Sequence, residues 1–201
     1  MLAVKNKWVL LLITLFLYAL YTIVYTISIN AILGTFLEII PGLLGIIILL
    51  KSGFTAQELY LYRAKISLKG FLLLTIFLIA LVPILLTGEW IGFDPVQMLL
   101  IAPIGGITQE LFFRACLLPF LIHLFEGRSF IALIVHACLF SIWHIPLVFS
   151  QAPLTGAIGV TFVTLIGGMI WGGQVQLDKT IYWAMGQHII YLMLMSMFTW
   201  G

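Results

Sequence analysis

The chain contains seven long apolar runs, and these runs require that most of it folds in a lipid bilayer. A hydrocarbon core about 30 Å thick is crossed by about 20 apolar residues in a helix, and lipid offers no hydrogen bonds to an irregular backbone. The sequence therefore predicts an all-α fold, a polytopic membrane helical bundle with about seven transmembrane helices. The predicted spans are Trp8–Ile29, Ile32–Leu50, Leu68–Leu86, Val96–Phe125, Phe130–Phe149, Leu154–Gly173 and Thr180–Trp200.

The composition agrees with a membrane protein and excludes a soluble enzyme. Hydrophobic residues make up 63% of the 201 residues and charged residues only 8%, whereas about a quarter of the residues in soluble domains are charged. The formal net charge of +2 is too small to indicate nucleic acid as a partner. Because of the hydrophobic composition, the expected partner is membrane lipid. No linker separates two units, and we expect a single integral membrane domain over residues 1–201.

The basic residues predict the orientation of the bundle. With seven crossings and a cytoplasmic N-terminus, the inner connections carry almost all Lys and Arg, whereas the outer connections carry none and hold Glu89 and Asp94. This distribution follows the positive-inside rule and predicts that the C-terminus lies outside. The inner basic residues are Lys5, Lys7, Lys51, Arg63, Lys65, Lys69, Arg128 and Lys179.

The fourth apolar run is too long for one straight span and contains helix-breaking residues. Pro103 and the pair Gly105-Gly106 interrupt it. We therefore expect a short re-entrant or half-helix near residues 96–104, followed by a full helix that starts near Gly106.

The connection between the second and third spans contains a helix-start signal. Thr55 and Glu58 have the spacing of a capping box. Aromatic and basic residues follow, as is typical of a membrane interface. This pattern predicts an interfacial helix near residues 55–65.

Ionisable side chains inside apolar spans are costly, and they are therefore candidates for function. Glu110 and Arg114 stand four positions apart with the acid first, the favoured order for an intrahelical ion pair, and Gln109 precedes them. Counted from the outer ends at about 1.5 Å per residue, the depths of His144 and His188 overlap with that of Glu110. We expect these five side chains to share one pocket.

Three further ionisable residues within the spans point less clearly to function. His123 and His136 lie toward the inner half of the bundle, away from the expected pocket, and are predicted to be structural. Glu38 precedes Pro41 and has no partner visible in the sequence. It is either a second proton site or a side chain that faces a cavity.

A carboxylate and an imidazole that converge in a dry pocket can hold one water, take its proton and deliver hydroxide to a carbonyl. A second imidazole can donate a hydrogen bond to the developing oxyanion. The sequence therefore indicates peptide hydrolysis within the membrane, with no cofactor. It contains no His-Glu-x-x-His, Gly-x-Ser-Gly or Gly-x-Gly-Asp pattern, and the alternative is a zinc site formed by His144, His188 and Glu110.

Three motifs in the later spans resemble those of the CAAX protease and bacteriocin-processing (CPBP, or Abi) family. The family's motifs are Glu-Glu-x-x-x-Arg, Phe-x-x-x-His and a late His-x-x-x-Asn or a close variant. The resemblance extends over about residues 105–192 and implies a glutamate-dependent intramembrane endopeptidase with a membrane-tethered peptide or protein substrate. The matching segments are Gln109-Glu110-Leu111-Phe112-Phe113-Arg114, Phe140-x-x-x-His144, and His188 with Leu192.

The resemblance also implies a role for each matching position. In the family, the first glutamate and the histidine of the second motif activate water, and the corresponding positions are Gln109 and His144. The last histidine and its asparagine stabilise the oxyanion, and the corresponding positions are His188 and Leu192.

Two of these four positions depart from the family's residues, whereas Glu110 and Arg114 match its second glutamate and its arginine, which orient and neutralise the site. A glutamine cannot accept a proton from water near neutral pH, so Gln109 is expected to remove most of a general-base contribution of about 10²–10⁴-fold. Leu192 offers no hydrogen-bond donor. Three explanations fit: Glu110 is the base in a rearranged site, the chain is a natural non-catalytic relative, or glutamine was introduced in place of glutamate by design.

The first hypothesis for function is a CPBP-type endopeptidase that cleaves a membrane-tethered peptide near its lipid junction in a prokaryotic plasma membrane. Glu110 with Gln109 lies at the water, His144 is the water partner, His188 is the oxyanion donor and Arg114 is the counter-ion. The predicted depths favour secreted or surface-anchored substrates over prenylated cytosolic ones.

Two further hypotheses belong to other classes of protein. One is a non-catalytic membrane scaffold or bacteriocin-immunity-type protein that binds a membrane partner through the same groove. The other is a conductor of protons or small solutes that uses Glu38, Glu110 and the histidines as a relay.

Overall fold

The computed structural model of the chain describes residues 6–27, 31–62, 88–151 and 154–199, together with residues 72, 75–77, 79, 82 and 86. Nearly all regular structure within these residues is helical. The α-helices are α1 (Lys7–Ile27), α2 (Ala31–Leu37), α3 (Ile39–Lys51), α4 (Ala102–Gln109), α5 (Leu118–Leu124), α6 (Ser129–Gln151), α7 (Leu154–Asp178) and α8 (Tyr182–Met195).

Five helices of the described residues are long and apolar enough to cross a membrane, and the predicted all-α polytopic bundle is confirmed. Large apolar side chains cover their outer faces, as lipid requires: Leu12 and Phe16 of α1 are 69% and 67% exposed. Most of the predicted third span, residues 68–86, lies outside the described residues. The five helices are Lys7–Thr26, Ile32–Lys51, Gln97–Leu124, Ser129–Pro146 and Ile158–Asp178.

Helices α4 and α5 belong to one continuous helix, which we call the central helix (Gln97–Leu124). Two π-helical stretches, Gln97–Ile101 and Glu110–Leu117, precede and join its α-helical parts. In its most apolar 18-residue segment, 72% of the residues are buried, compared with 22–39% in the corresponding segments of the other four helices. The central helix is therefore the core of the bundle, and the other helices pack around it.

The continuity of the central helix corrects the prediction of a separate half-helix near residues 96–104. Pro103 lies inside this continuous helix and removes one backbone donor, and the wider π turn before it leaves room for its ring. The two glycines that follow continue the helix, and Gly106 allows close packing.

The predicted interfacial helix near residues 55–65 is only a hydrogen-bonded turn in its described part, residues 55–62. The capping box itself forms, because the backbone N–H of Thr55 donates to Oε2 of Glu58 at 2.7 Å and that of Glu58 donates to Oγ1 of Thr55 at 3.2 Å. Tyr60 then takes a left-handed conformation with φ 57°, which ends the helical path after about one turn.

The last apolar run, Thr180–Trp200, forms a shorter helix than predicted. Helix α8 has 14 residues, about 21 Å at 1.5 Å per residue. The chain then turns, and strand β2 (Phe198–Thr199) pairs antiparallel with strand β1 (Glu89–Trp90). Hydropathy does not reveal this pairing, because a short apolar segment suits a strand and a helix alike.

The connections at one end of the bundle contact one another. Nζ of Lys7 lies 2.9 Å from Oε1 of Glu126, and the backbone N–H of Ile181 donates to the carbonyl of Tyr60 at 3.1 Å. These are the connections predicted to lie inside. Strands β1 and β2 meet at the opposite end, so the described helices alternate in direction as the sequence predicted.

Glycines allow the helices that carry the predicted site to approach closely. A Cβ at Gly106 of α4 would lie 2.8 Å from Cγ1 of Ile189 on α8, so a larger residue there would push the two helices apart. On α7, a Cβ at Gly168 would lie 3.0 Å from Cα of Ala137 on α6. Small residues thus bring α8 against the central helix and α7 against α6.

Candidate active site

Glu110, Arg114 and His188 form a buried ionic centre. Oε1 of Glu110 lies 2.8 Å from Nδ1 of His188 on α8 and 3.1 Å from a terminal guanidinium nitrogen of Arg114, one turn later in the central helix. The side chains of Glu110 and Arg114 are fully buried, and that of His188 is 3% exposed. Burial of the Glu110 and Arg114 charges is tolerated because the two opposite charges attract each other at close range. The structure thus brings together three of the five predicted site residues.

Aromatic rings surround the Arg114 guanidinium. Its Cζ lies 4.2 Å from the ring centroid of Phe140 and 5.7 Å from that of Trp171, distances at which a ring face attracts a cation. In the described part of the chain, no hydrogen-bond acceptor meets its nitrogens with good geometry. The carboxylate of Glu110 and the aromatic rings therefore hold the guanidinium by electrostatic attraction.

Trp171 on α7 fixes the plane of the His188 imidazole. The two rings stack with centroids 4.3 Å apart and an interplanar angle of 27°. Nε1–H of Trp171 also donates to Oε1 of Gln187, the residue before His188, at 3.2 Å. With the ring held in this way, Nδ1 points at Glu110, and Nε2 makes no hydrogen bond to a described residue.

The imidazole of His144 is oriented by its own helix, α6. Nδ1 lies 2.8 Å from the carbonyl oxygen of Phe140, one turn earlier, and it carries the proton because a carbonyl can only accept. In the neutral ring, Nε2 is then an acceptor. The Phe140 ring packs edge-on against both imidazoles, with centroids 4.7 Å from His144 and 6.2 Å from His188.

Both histidines line one apolar cavity of about 320 Å³. Helices α6, α7 and α8 contribute most of its walls, and side chains such as Val163, Ile166 and Ile170 make these walls apolar. Among the described residues, the imidazoles of His144 and His188 and the phenol of one tyrosine are the titratable groups that line this cavity. An apolar chain can be accommodated there beside two proton-transfer groups.

Gln109 and Glu110 do not line this cavity. Glu110 lies behind His188 and reaches the cavity only through the imidazole. Gln109 is 7% exposed, and its Oε1 makes no hydrogen bond to a described residue. Leu192, at the position of the family's asparagine, does line the cavity. Of the two residues that depart from the family pattern, Leu192 therefore lies at the cavity and Gln109 lies outside its lining.

The two imidazoles offer complementary chemistry to a ligand in the cavity. Nε2 of His144 is an acceptor and can take a proton. Nε2 of His188 becomes a donor when the Glu110–His188 pair carries two protons, one in the Nδ1···Oε1 bond and one on Nε2. The site can therefore supply a base and an oxyanion donor to one carbonyl group.

The geometry also bears on the zinc alternative. Among the described residues, no three His, Cys, Asp or Glu side chains are arranged to hold a metal ion. A zinc ion bound by His144, Glu110 and Nε2 of His188 would require the Glu110–His188 bond to break, because Oε1 lies on the Nδ1 side of the ring.

Glu38 belongs to a separate buried cluster. It lies at the break between α2 and α3, which Pro41 explains because a proline ring conflicts with the carbonyl one turn earlier. Its carboxylate is 5% exposed and accepts a hydrogen bond from the hydroxyl of Tyr21 at 3.5 Å, and that hydroxyl lies 3.5 Å from Oγ1 of Thr108. Within the described residues, Glu38 makes no hydrogen bond to Glu110 or to a histidine.

The other two histidines lie outside the cavity. His136 is fully buried, with its ring edge-on to Phe113 and its Nδ1 close to Gly172 of α7. His123 lies near the C-terminal end of the central helix, where the centroid of its ring is 5.3 Å from that of Phe54. Both stand apart from His144 and His188, as the sequence predicted.

Trp171 and Tyr191 lie in the site, yet sequence reasoning did not identify them. Tyr191 follows His188 by three positions and therefore shares its face of α8, a signal that the sequence contained. Trp171 stands between Gly167-Gly168 and Gly172-Gly173. Paired glycines in an apolar helix indicate close packing against another helix, but they do not show which helix or residue packs there.

Residues 90–194 match the family described as type II CAAX prenyl endopeptidase, Rce1-like. This segment covers more than half of the chain, begins in β1 and ends in α8, and includes all five predicted site residues. No curated protein and no solved structure matches the chain. The chain therefore belongs to the Rce1-like family of type II CAAX prenyl endopeptidases, a protease family, and its resemblance to CPBP proteins is confirmed.

Proposed function

We propose that the protein is an intramembrane endopeptidase that hydrolyses a peptide bond in a membrane-tethered substrate. The observation that carries this proposal is the 2.8 Å contact between Oε1 of Glu110 and Nδ1 of His188, which leaves Nε2 of His188 available in the cavity that His144 also lines. A carboxylate that orients an imidazole at an apolar cavity is a recurrent arrangement in hydrolysis by acid–base catalysis.

In the proposed reaction, Nε2 of His144 takes a proton from a water in the cavity, because Nδ1–H is committed to the Phe140 carbonyl. The hydroxide attacks the carbonyl carbon of the substrate, and His188 donates from Nε2 to the resulting oxyanion. When the C–N bond breaks, His144 returns its proton to the leaving amine. The products are a carboxyl group and an amine, with the water's atoms divided between them.

Glu110 acts through His188 in this scheme rather than on the water. It fixes the ring by the Nδ1 hydrogen bond, and its negative charge stabilises the imidazole when that ring is protonated. Arg114 holds the carboxylate from the other side at 3.1 Å and prevents it from turning away. The proposal therefore keeps Glu110 and Arg114 in the site but assigns the proton of the water to His144.

Gln109 makes a low rate the expected behaviour of this chain. An amide cannot take a proton from water, and general-base catalysis contributes about 10²–10⁴-fold. We propose that Gln109→Glu restores a second acceptor and raises the rate. The effect requires that the new carboxylate reaches the cavity, so the same variant also tests whether position 109 contributes directly.

The proposed substrates are peptides anchored in the bilayer. Glu110 lies about 20 Å from each end of the central helix at 1.5 Å per residue, so the ionic centre is near the middle of the membrane. An apolar side chain or lipid chain of the substrate fits the apolar walls of the cavity. We place the protein in a prokaryotic plasma membrane with a cytoplasmic N-terminus and an external C-terminus, because the inner connections carry Lys and Arg.

The experiment uses the purified full chain in lipid nanodiscs. The first probe is a fluorogenic peptide library in which each peptide is anchored by one apolar helix, and the second is a farnesylated C-terminal tetrapeptide. We expect cleavage of the first probe, a higher rate with Gln109→Glu, and loss of cleavage with His144→Ala or His188→Ala. His123→Ala is the control, because it changes a histidine outside the cavity. Cleavage that persists in both His144→Ala and His188→Ala disproves the proposal.

A non-catalytic binding protein is the second candidate, and the residues at two positions favour it. Gln109 removes a base and Leu192 removes a donor, while the cavity and its apolar walls remain intact. Such a protein binds the anchored peptide with equal affinity before and after His144→Ala. It also shows no hydrolysis with Gln109→Glu, which is the outcome that separates it from the enzyme.

A further inference from the structure

The proposed oxyanion site lacks a second donor at the position where the family has one. The resemblance places an asparagine four residues after the last histidine, and this chain has Leu192 there. A leucine side chain cannot donate a hydrogen bond. Oxyanion sites typically combine two donors, and one donor contributes about 10²–10³-fold to the rate. A residue beside Leu192 that brings a donor to the cavity would restore this function.

Tyr191 meets this requirement by its place in α8. It lies three positions after His188, so both side chains project from the same face of the helix. Both contact the same indole: the Trp171 ring stacks on His188 at 4.3 Å and meets the Tyr191 ring edge-on at 5.9 Å. Both also line the 320 Å³ cavity. The phenol and the imidazole are therefore neighbours at one wall of the cavity.

The hydroxyl of Tyr191 is also uncommitted among the described residues. It makes no hydrogen bond there, whereas other tyrosine hydroxyls do, such as that of Tyr18, which donates to the carbonyl of Leu139 at 2.8 Å. The other hydroxyl in the described lining belongs to Thr164, and it donates to the carbonyl of Val160 at 2.9 Å in its own helix. Tyr191 is thus the hydroxyl of this wall that is available to a ligand.

We propose that Tyr191 is a catalytic residue whose Oη–H donates, together with Nε2–H of His188, to the oxyanion of the tetrahedral intermediate. It replaces the donor that Leu192 lacks. No proton leaves Tyr191, because the hydroxyl donates a hydrogen bond as the carbonyl oxygen gains charge and releases it when the C–N bond breaks. This inference rests on the proposed function, since an oxyanion forms only if the site attacks a carbonyl group.

The first test is Tyr191→Phe, which removes only the hydroxyl. We expect kcat for the helix-anchored peptide library to fall by about 10²–10³-fold with KM nearly unchanged, because the hydrogen bond strengthens only in the transition state. Tyr25→Phe is the matched control: Tyr25 packs against Trp143 on α1's side of the bundle and does not line the cavity. Adding Leu192→Asn to Tyr191→Phe is expected to recover at least 10-fold of the loss. A purely structural tyrosine would not be rescued by an amide one position away.

The second test does not depend on turnover. A helix-anchored peptide with a phosphinate in place of the cleaved amide mimics the tetrahedral intermediate, and the unmodified peptide mimics the ground state. We expect Tyr191→Phe to weaken phosphinate binding by about 10²-fold and peptide binding by less than 3-fold. If the wild type cleaves the peptides and Tyr191→Phe cleaves them equally well, the Tyr191 role is wrong and the endopeptidase remains. If neither the wild type nor Gln109→Glu cleaves them and phosphinate binding is not preferred, both proposals are wrong.

Discussion

Nδ1 of His188 lies 2.8 Å from Oε1 of Glu110, although 78 positions separate the two residues in the chain. The contact joins the first turn of a π-helical stretch to the middle of α8, and the two side chains are 0% and 3% exposed. It depends on three other features of the bundle: the charge of Arg114, the close approach at Gly106 and the stacking on Trp171. Each of these can be removed by one substitution.

Glu110→Gln is expected to destabilise the protein by about 3 kcal/mol or more, because it leaves the buried guanidinium of Arg114 without an opposite charge. The measurement is reversible unfolding in mixed micelles. Glu126→Gln is the control, since it breaks an exposed ion pair with Lys7 and should change stability little.

A double substitution completes this test. Because a neutral pair of similar volume removes both charges together, Glu110→Gln with Arg114→Met should be more stable than Glu110→Gln alone. If the double variant is less stable, the isolated positive charge is not the cause of the loss.

Gly106→Val is expected to displace α8 and to lower the rate of hydrolysis by about 10²-fold. A Cβ at Gly106 would lie 2.8 Å from Cγ1 of Ile189 and 3.3 Å from its backbone, so the helices must separate. Overpacking of this kind costs about 1–3 kcal/mol, and a shift of about 1 Å can lower a rate 10²-fold. The measurements are the thermal midpoint and kcat.

Gly105→Ala is the control for this substitution. Among the described residues, a Cβ there would meet Cδ1 of Leu192 at 3.9 Å, which is an ordinary contact. Alanine favours a helix more than glycine does, so an equal loss in Gly105→Ala and Gly106→Val would show that the approach of α8 at Gly106 does not determine the result.

Trp171→Leu is expected to lower kcat by about 10²-fold while Trp171→Phe lowers it only a few-fold, because phenylalanine keeps a ring face against His188. The independent readout is the proton spectrum of the His188 imidazole, whose resonances lose the ring-current shift in Trp171→Leu. They are assigned by comparison with His188→Gln.

A stacking role requires that the spectrum and the rate change together. If Trp171→Leu loses the ring-current shift but retains kcat, the orientation of His188 does not depend on this stack. If Trp171→Phe is as slow as Trp171→Leu, the hydrogen bond from Nε1 to Gln187 matters more than the ring.

Single cysteines at the two ends are expected to react from opposite sides of the membrane. Position 126 of Glu126→Cys lies between α5 and α6, at the end of the bundle where Glu126 pairs with Lys7. Position 91 of Ile91→Cys follows β1, at the other end. A membrane-impermeant maleimide applied to intact cells should label Ile91→Cys, and should label Glu126→Cys only after the cells are opened. The unmodified chain is the control, because Cys116 is buried and Cys138 faces outward within the α6 span. The reverse pattern would contradict the positive-inside assignment.

The sequence predicted five of the seven spans close to where the structure has them, because the cost of an irregular backbone in lipid acts on each run separately. The same reasoning identified the Glu110–Arg114 pair, since residues four apart on a helix are neighbours. It placed His144, His188 and Glu110 at one depth but could not tell that Glu110 stands behind His188. The rotation of the central helix decides that arrangement, and the π-helical stretch Glu110–Leu117 changes it from the value expected for an α-helix.

Other features depended on contacts that no local pattern contains. The shortness of α8 follows from the pairing of β2 with β1, more than 100 positions away. The stacking of Trp171 on His188 follows from the packing of α7 beside α8, and an aromatic residue in an apolar helix is ordinarily only a core residue. The sequence predicted a break at Gly105-Gly106 and not the close approach of Ile189, because a glycine pair is consistent with either flexibility or close packing.

Backbone hydrogen bonds anchor α8 before its first turn and after its last. Ile181 donates to the carbonyl of Tyr60 at one end, and Ile91 donates to the carbonyl of Met197 at the other. A sliding motion of this helix would break at least one of these hydrogen bonds, so we expect His188 to keep its position in the membrane. In the proposed reaction, a substrate must then gain room by displacing neighbouring side chains or the opposite wall, and its peptide bond moves to the imidazole rather than the imidazole to the bond.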